Sequence, residues 1–474
     1  MTPATRTFRE NTRTALGDAK LAKALSGLPT GLVAQRAAAK ARVPEFETLR
    51  TAARDIRDHT LANLDAYLSA FADKAEAAGV RIHWAADAAE ARTVIAHIAL
   101  ERGARLVAKG KSMISEEIAL NAYLETLGLE VFESDLGEYL VQIRNETPSH
   151  IIVPAIHLSR DDVEADFRRH HTHLPPDRDL ATPEALVAEA RAVLRARFLA
   201  ADIGITGANF LVAETGSAII VTNEGNGDLS AHLPKTHIVL ASIDKVVPTL
   251  SDAATLLRVL ARSATGQDMT AYTSLLTGPR LDTDPDGPGE CHIVILDNGR
   301  SEMLRSGLGE ALRCIRCGAC LNHCPVYNAI GGHAYGWVYA GPIGAVLTPA
   351  FLGADQASDL PSASSFCGKC EEVCPVRIPL TGLMRTWRER SRATSGSRLQ
   401  RWTLAAWSFV ARRPRLYHAA TRVGIAMLSA FGRSRGAFRR LPFARGWTAS
   451  RDFPAPQGRT FQQLWNERER GVPR

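Results

Sequence analysis

Seven of the eight cysteines of this 474-residue chain lie between positions 314 and 374, in two runs whose spacing is a ligation pattern. Cys314, Cys317, Cys320 and Cys324 follow one another at x2, x2 and x3, and Pro325 comes directly after. This is the run that holds [4Fe–4S] cubes in bacterial-type ferredoxins. Three thiolates wrap one face of a cube, and the fourth, turned away by the proline, serves the other cluster of a pair. Cys367, Cys370 and Cys374-Pro375 repeat the last three cysteines and the proline in register. Crossing the fourth cysteines assigns Cys314, Cys317, Cys320 and Cys374 to one cluster, and Cys324, Cys367 and Cys370 to the other. The second set is one thiolate short, and Ser364 stands where the missing cysteine would be. An oxygen ligand such as serine, a distant ligand such as Cys291, a labile or three-iron cluster, and a position open to substrate or partner all fit this gap. Zinc sites use paired CxxC or CxxH units, a poor match to this spacing. Cys291, in the apolar β-run GECHIVILD, reads as a buried core thiol.

Weaker signals lie upstream. Lys109-Gly110-Lys111-Ser112 follows an apolar run and precedes a helical one, so it reads either as an anion site at a helix start or as a capped helix with solvated lysines. Glu214-Thr215-Gly216-Ser217 and Asn223-Glu224-Gly225-Asn226-Gly227 are equally good as pocket-lining loops and as tight turns. Arg168, Arg169, His170, His171 and His173 read as a solvated polar helix end rather than a metal site. No GxGxxG after a strand and no Walker loop occurs, which argues against a tightly held nucleotide or flavin. No catalytic residue is legible, and neither Lys111 nor Glu214 is assigned that role.

These residues need elements to position them. Residues 8–75 are Ala-rich with helical periodicity and predict two or three helices. From about Val80, apolar runs at 81–86, 104–110, 130–134 and 150–156 alternate with helical stretches, including SEEIALNAYLETLG and DDVEADFRRHH. That alternation predicts an α/β fold with a mainly parallel sheet. A β-rich stretch follows a helix over 183–201, and residues 282–290 read as a loop. The resulting division is a helical region over 1–75, an α/β domain over 76–300, a small helical two-cluster domain over 301–385, and a basic helical extension over 386–474.

Composition sets the outer limits. Apolar residues make up 45% and charged ones 23%, ordinary globular usage that excludes a disordered or disulfide-dense chain. The net charge of +7 hides a split. Residues 381–474 carry 20 arginines, no lysine and four acidic residues, whereas residues 1–380 are net acidic. Any attraction to an anionic surface therefore belongs to the tail, where helices are expected at 398–411 and 417–432. No RNA-binding module accompanies the arginines, so nucleic acid is not expected as a partner. The first twenty residues lack an apolar signal core, and the tail's longest apolar run is too short to span a bilayer, which points to a cytoplasmic protein.

Six segments carry a family resemblance: VAKGKSMISEEIALN (107–121), LVAETGSAIIVTNEGNGDL (211–229), HLPKTHIVLASIDKVVPTL (232–250), LRCIRCGACLNHCPVY (312–327), GPIGAVLTP (341–349) and LPSASSFCGKCEEVCPVRI (360–378). In them the chain resembles the lactate utilization protein B family, over nearly its whole length. The resemblance implies a LUD-type α/β domain, similar in fold to the NagB/RpiA and formyltetrahydrofolate cyclo-ligase-like proteins, two ferredoxin-type repeats with two [4Fe–4S] clusters, and a C-terminal extension. It further implies an electron-transfer subunit that acts with two companion subunits in oxidising L-lactate to pyruvate and passes electrons to a separate acceptor. Peripheral contact with the inner membrane through the basic tail fits this reading. The alternatives are an iron–sulfur subunit for another 2-hydroxy acid such as glycolate, and a structural or oxygen-sensing iron–sulfur protein. The gap at Ser364 is usual in that family and does not identify the fourth ligand.

Overall fold

Ten short apolar runs form strands in the body of the chain: β1 (Arg81–Ala85), β2 (Leu106–Lys109), β3 (Glu130–Glu133), β4 (Ile203–Gly207), β5 (Phe210–Val212), β6 (Ser217–Thr222), β7 (Thr236–Ser242), β8 (Val246–Val247), β9 (Tyr272–Leu276) and β10 (Glu290–Leu296). The structure is a computed structural model describing residues 3–395, 398–432, 436–441, 446–448 and 451–471. Six strands make a wholly parallel sheet in the order β3–β2–β4–β7–β10–β1. Its alternation explains why these runs are nearly all apolar. Val107, Ile205, Ile238, Leu240 and Val294 face one core, whereas Val239, Ala241, Ile293 and Ile295 face another on the opposite side. A parallel strand covered on both faces must be hydrophobic at every position. β7, paired on both edges, is buried from end to end.

The other four strands form a smaller sheet in the order β8–β5–β6–β9. β5 and β6 are an antiparallel hairpin whose turn is residues 213–216, with Ser217 the first residue of β6. Gly216 at its tip has φ +71°, and a Cβ there would stand 2.4 Å from the backbone nitrogen of Ala75. That segment is thus a turn. Gly204 in β4 is equally constrained, because a Cβ would meet the carbonyl oxygen of Ser230 at 1.8 Å. A backbone carbonyl cannot swing aside, so Gly204→Ala is expected to cost ~3 kcal/mol, the upper end for overpacking. The readout is a lowered urea midpoint or loss of soluble full-length protein.

Three local expectations are corrected. Residues 8–75 form five α-helices, Phe8–Leu16, Ala19–Leu25, Ala34–Ala41, Phe46–Ala62 and Leu64–Ala77, with a π-helical turn at Pro29–Val33. Asp18 caps the second through Lys20 N and Leu21 N, and glycine or proline stands near three of the breaks. The stretch SEEIALNAYLETLG is two helices, Met113–Glu117 and Leu120–Thr126, parted by Ala119 at φ +52°. The run at 150–156 forms no strand. Its apolar residues are covered instead by the cysteine-bearing region: Tyr327 OH donates to Ser149 O at 2.8 Å, and His150 Nε2 meets Asn322 Oδ1 at 3.0 Å. Periodicity records that a run is buried, not what buries it.

Contacts divide the chain into two units, Met1–Ser391 and Arg392–Arg474. In the first, the N-terminal helices, the small sheet and the cysteine-bearing region share one core containing Phe46, Phe210, Tyr327, Tyr339 and Met384. The second contains helices Arg398–Ala411, Pro414–Gly432 and Phe461–Glu469 and a two-stranded pairing of Ala437–Phe438 with Phe453–Pro454. Pro414 starts its helix three residues earlier than expected, at the first-turn position where a missing N–H costs nothing. Among the described residues, no helix is long and apolar enough to cross a membrane.

Candidate functional site

The two cysteine motifs fold alike. Cys314 is followed by Arg316 at φ +60° and Gly318 at +71°; Ser364, at the matching position, is followed by Phe366 at +55° and Gly368 at +77°. Gly318 and Gly368 start the short helices Ala319–Asn322 and Lys369–Val373. Cys324 and Cys374 each precede a proline, and Cys324 starts helix Pro325–Ile330. These turns sort the sulfurs into two groups. Cys317 and Cys320 sit within electrostatic reach of Cys314 and Cys374, and Cys324 and Cys370 within reach of Cys367. Cys320 also senses Cys370, so the groups are neighbours. Cys291 stands apart in the core behind β10, where burial pushes its thiol up to about 12.

The chemistry of the donor set fits iron–sulfur ligation. Burial and mutual repulsion push the thiols up, Cys317 and Cys370 to about 12 and Cys374 to about 11. Such thiols become thiolates only when cationic charge is brought among them. Among the described residues, the only trio of ligating atoms within 4.8 Å of one another is Glu146, His157 and His333. The cysteine sulfurs are therefore spread wider than one zinc ion requires, since Zn–S bonds of about 2.3 Å bring sulfurs to roughly 4 Å.

The N-terminal helices grip the second motif. Arg50 donates to Cys374 O at 2.7 and 3.1 Å and to Glu372 O at 2.7 Å, and Arg36 donates to Val373 O at 2.8 Å. Arg57, 1% exposed, donates to the carbonyls of Asp244, Val246 and Leu312. These arginines satisfy backbone oxygens at the ends of short elements and set positive charge beside the cysteine sulfurs. Each group has two buried cysteines, Cys317 with Cys374 and Cys324 with Cys370; Cys314 and Cys320 are half-buried, and Cys367 is exposed.

A cavity of about 240 Å³ opens at the carboxyl ends of β2 and β4, where open α/β sheets bind ligands. Lys111, Ser112, Asn223, Glu224, Asn226 and Gly227 line it. The Gly/Asn-rich 223–227 segment therefore borders a pocket, while its 214–217 counterpart does not. Arg316, from the cysteine loop, and Lys245, just beyond β7, complete the wall. Sequence reasoning passed over both. Arg316 stands between Cys314 and Cys317, and only the fold brings Lys245 beside it.

The other upstream candidates are spoken for. Lys109 is fully buried and held by Glu133 at 2.8 Å, Glu116 at 3.1 Å and Ser115 Oγ at 2.8 Å. Lys111 donates to Ile152 O at 2.7 Å and faces Glu138 at 3.5 Å, so neither lysine is a solvated one. Ser112 caps its helix through Ser115 N, as the capped-helix reading expects. His171 is not at a solvated helix end but buried, between Tyr139 OH at 2.8 Å and Glu189 Oε1 at 2.7 Å. Arg168 pairs with Glu164, and Arg169, His170 and His173 are exposed.

Two buried histidines give the body a pH signature. Burial, with Lys111 nearby, lowers His150 to about 3; burial, with His232 nearby, does the same for His237. Both stay neutral in the folded chain but take a proton near 6.5 when unfolded. From pH 6.5 down to about 3 the unfolded state binds more protons, so stability falls with pH by ~1.4 kcal/mol per unit for each histidine. Urea unfolding at pH 7 and pH 5 should show this loss, and His237→Asn should reduce it.

Comparison with known proteins finds three family matches along the chain. The family described as LUD domain matches residues 68–296, the 4Fe-4S dicluster domain matches 310–378, and the C-terminal region of lactate utilisation protein B matches 387–470. Residues 310–378 are thus an iron–sulfur domain. Lactate utilization protein B of Shouchella clausii is 41% identical, covering 98% of this chain and 97% of that protein. Its namesake from Bacillus subtilis is 40% identical over 98% and 96%, and that of Geobacillus thermodenitrificans 43% over 90% and 89%. With likeness of this extent along the sheet, the cysteine loops and the tail, the chain belongs to the lactate utilization protein B family.

Proposed function

We propose that the chain is the iron–sulfur electron-transfer subunit of an L-lactate oxidation system. It would carry one [4Fe–4S] cluster on Cys314, Cys317, Cys320 and Cys374 and a second on Cys324, Cys367 and Cys370. Such clusters, when bound, accept and release single electrons. The observation that supports this reading best is the placement of the two sulfur groups. One lies beside the sheet-end cavity through Arg316, the other reaches the surface at Cys367, and Cys320 and Cys370 bring them together. The chain's own part is to pack Tyr327, Tyr335 and Tyr339 into the core shared with the cysteines and to hold Arg36, Arg50 and Arg57 beside the Cys314 group. The exposed edge suits exchange with a companion subunit or an acceptor. The six parallel strands, with apolar cores on both faces, support a NagB/RpiA-like assignment for the α/β body. Trp402, Trp407 and Phe409, exposed among the tail's arginines, support peripheral contact with an anionic membrane surface.

The test is anaerobic purification followed by iron and sulfide analysis and dithionite reduction monitored by EPR. About eight iron and eight sulfide per chain, with reversible signals, are expected. Redox-silent protein would overturn the electron-transfer role. A deletion strain should fail to grow on L-lactate; normal growth there with failure on glycolate would move the substrate to another 2-hydroxy acid.

A further inference from the structure

The sheet-end cavity is walled by two buried cations, Arg316 and Lys245, that reach Asp244 and Cys314 only electrostatically. All three guanidinium nitrogens of Arg316 are buried without a hydrogen-bond partner, and the group lies over the Tyr339 ring, 5.0 Å from its centroid. Lys245 is only 6% exposed, and among the described residues no hydrogen bond or ion pair reaches its ammonium. Asn226 faces the same cavity with a buried, unpartnered Oδ1. The acidic groups nearby are outnumbered. Asp244, the counter-charge within reach of both cations, is already held by Arg300 and Ser242; Asp135 accepts from Gly137 N and Glu138 N as a helix cap, and Glu224 is exposed. Leu240, Met113 and Leu260 supply apolar wall. Buried charges without partners are costly unless something completes them. What completes this set is an anion with one apolar flank and one hydroxyl donor.

We propose that this cavity binds a small 2-hydroxy carboxylate, with its carboxylate on Arg316 and Lys245 and its hydroxyl donated to Asn226 Oδ1. A volume of about 240 Å³ suits an acid of a few carbons and excludes drug-sized ligands. Because Arg316 lies between Cys314 and Cys317, the acid would sit beside the Cys314 group. The proposal rests on the electron-transfer reading only for why a substrate belongs there. The competing role for the two cations is to balance the charge of the Cys314 group alone, and binding measurements separate the two.

Calorimetric titration of the anaerobically purified full chain with L-lactate is expected to show one site. Lactamide, which lacks the charge, should bind at least about tenfold more weakly, as should lactate to Arg316→Gln and to Lys245→Gln. Asn226→Ala should reduce lactate to the affinity of propionate and leave propionate unchanged. Equal binding of lactamide and lactate, or no binding of lactate, overturns the proposal. Should Arg316→Gln fail to load iron, Lys245→Gln and the lactate–lactamide comparison decide. Dithionite reduction of the same sample keeps the two readings apart. Reducible clusters without lactate binding remove only the pocket, whereas binding with silent clusters removes only the electron-transfer role.

A separate observation concerns the second sulfur group. Cys314 Sγ accepts a hydrogen bond from the backbone N–H two residues on, Arg316 N, at 3.4 Å; Ser364 Oγ accepts the matching bond from Phe366 N at 3.1 Å. The left-handed residue and the helix-starting glycine that follow are also equivalent. We infer that Ser364 Oγ stands in for the missing thiolate and, on losing its proton to solvent, completes the ligation begun by Cys324, Cys367 and Cys370. Ser364→Ala should lose about one iron per chain and show the EPR signal of an oxidised three-iron cluster. Ser364→Cys should keep the full iron content but shift that cluster's midpoint potential. Unchanged iron and EPR in Ser364→Ala, or an unshifted potential in Ser364→Cys, overturns the assignment.

Discussion

Cys374→Ala, purified without oxygen, is expected to lose the cluster held by the first motif, although Cys374 lies in the second. Iron per chain should fall from about eight to about four. The surviving EPR signal should match that of Cys317→Ala and differ from that of Cys370→Ala. The reason is the fold-back of the two motifs, which sets Cys317 and Cys320 beside Cys374 and sets Cys324 beside Cys367 and Cys370. Loss of the same signal in Cys374→Ala and Cys370→Ala would show that each motif keeps its own cysteines. The grip of Arg50 on the Cys374 carbonyl is untouched by this substitution, so the change reads ligation rather than folding.

Arg300→Met is expected to destabilise the body by about 3–5 kcal/mol, the cost of breaking a buried ion pair from one side. Arg300, Glu117 and Asp244 all have side chains with 0% exposure. Arg300 holds Glu117 bidentately at 2.8 and 2.9 Å and Asp244 Oδ1 at 2.8 Å, and its guanidinium lies over Phe351. Tyr339 OH donates to the same Glu117 at 2.6 Å. The network thus joins the ends of β7 and β10 to the cysteine-bearing region. Removing the arginine strands two carboxylates whose charge Arg300 sustains against burial. Glu117→Gln should recover part of the loss in the double variant, and Arg300→Lys should fall between, since an ammonium cannot reproduce the bidentate fork. Urea unfolding measures all three; a midpoint unchanged in Arg300→Met would refute the account.

The cysteine pattern was legible without coordinates because cluster ligation is a local matter: x2 and x3 intervals, a following proline and glycines at fixed offsets dictate the loop whatever surrounds it. β2, β4, β7 and β10 were legible for a related reason, since a strand covered on both faces leaves an unbroken apolar run. What covers a run is another matter. Residues 150–156 read like a strand yet lie under Tyr327 and Asn322, and His171 reads as solvated yet is enclosed by Tyr139 and Glu189. The meeting of Arg316 with Lys245, the Arg300 network and the arginine grip from helices Ala34–Ala41 and Phe46–Ala62 all join residues tens to hundreds of positions apart. Spacing along a chain carries no record of such pairings, because a buried cation is defined by what packs against it, and that is decided when the α/β body, the N-terminal helices and the cysteine loops close over one shared core.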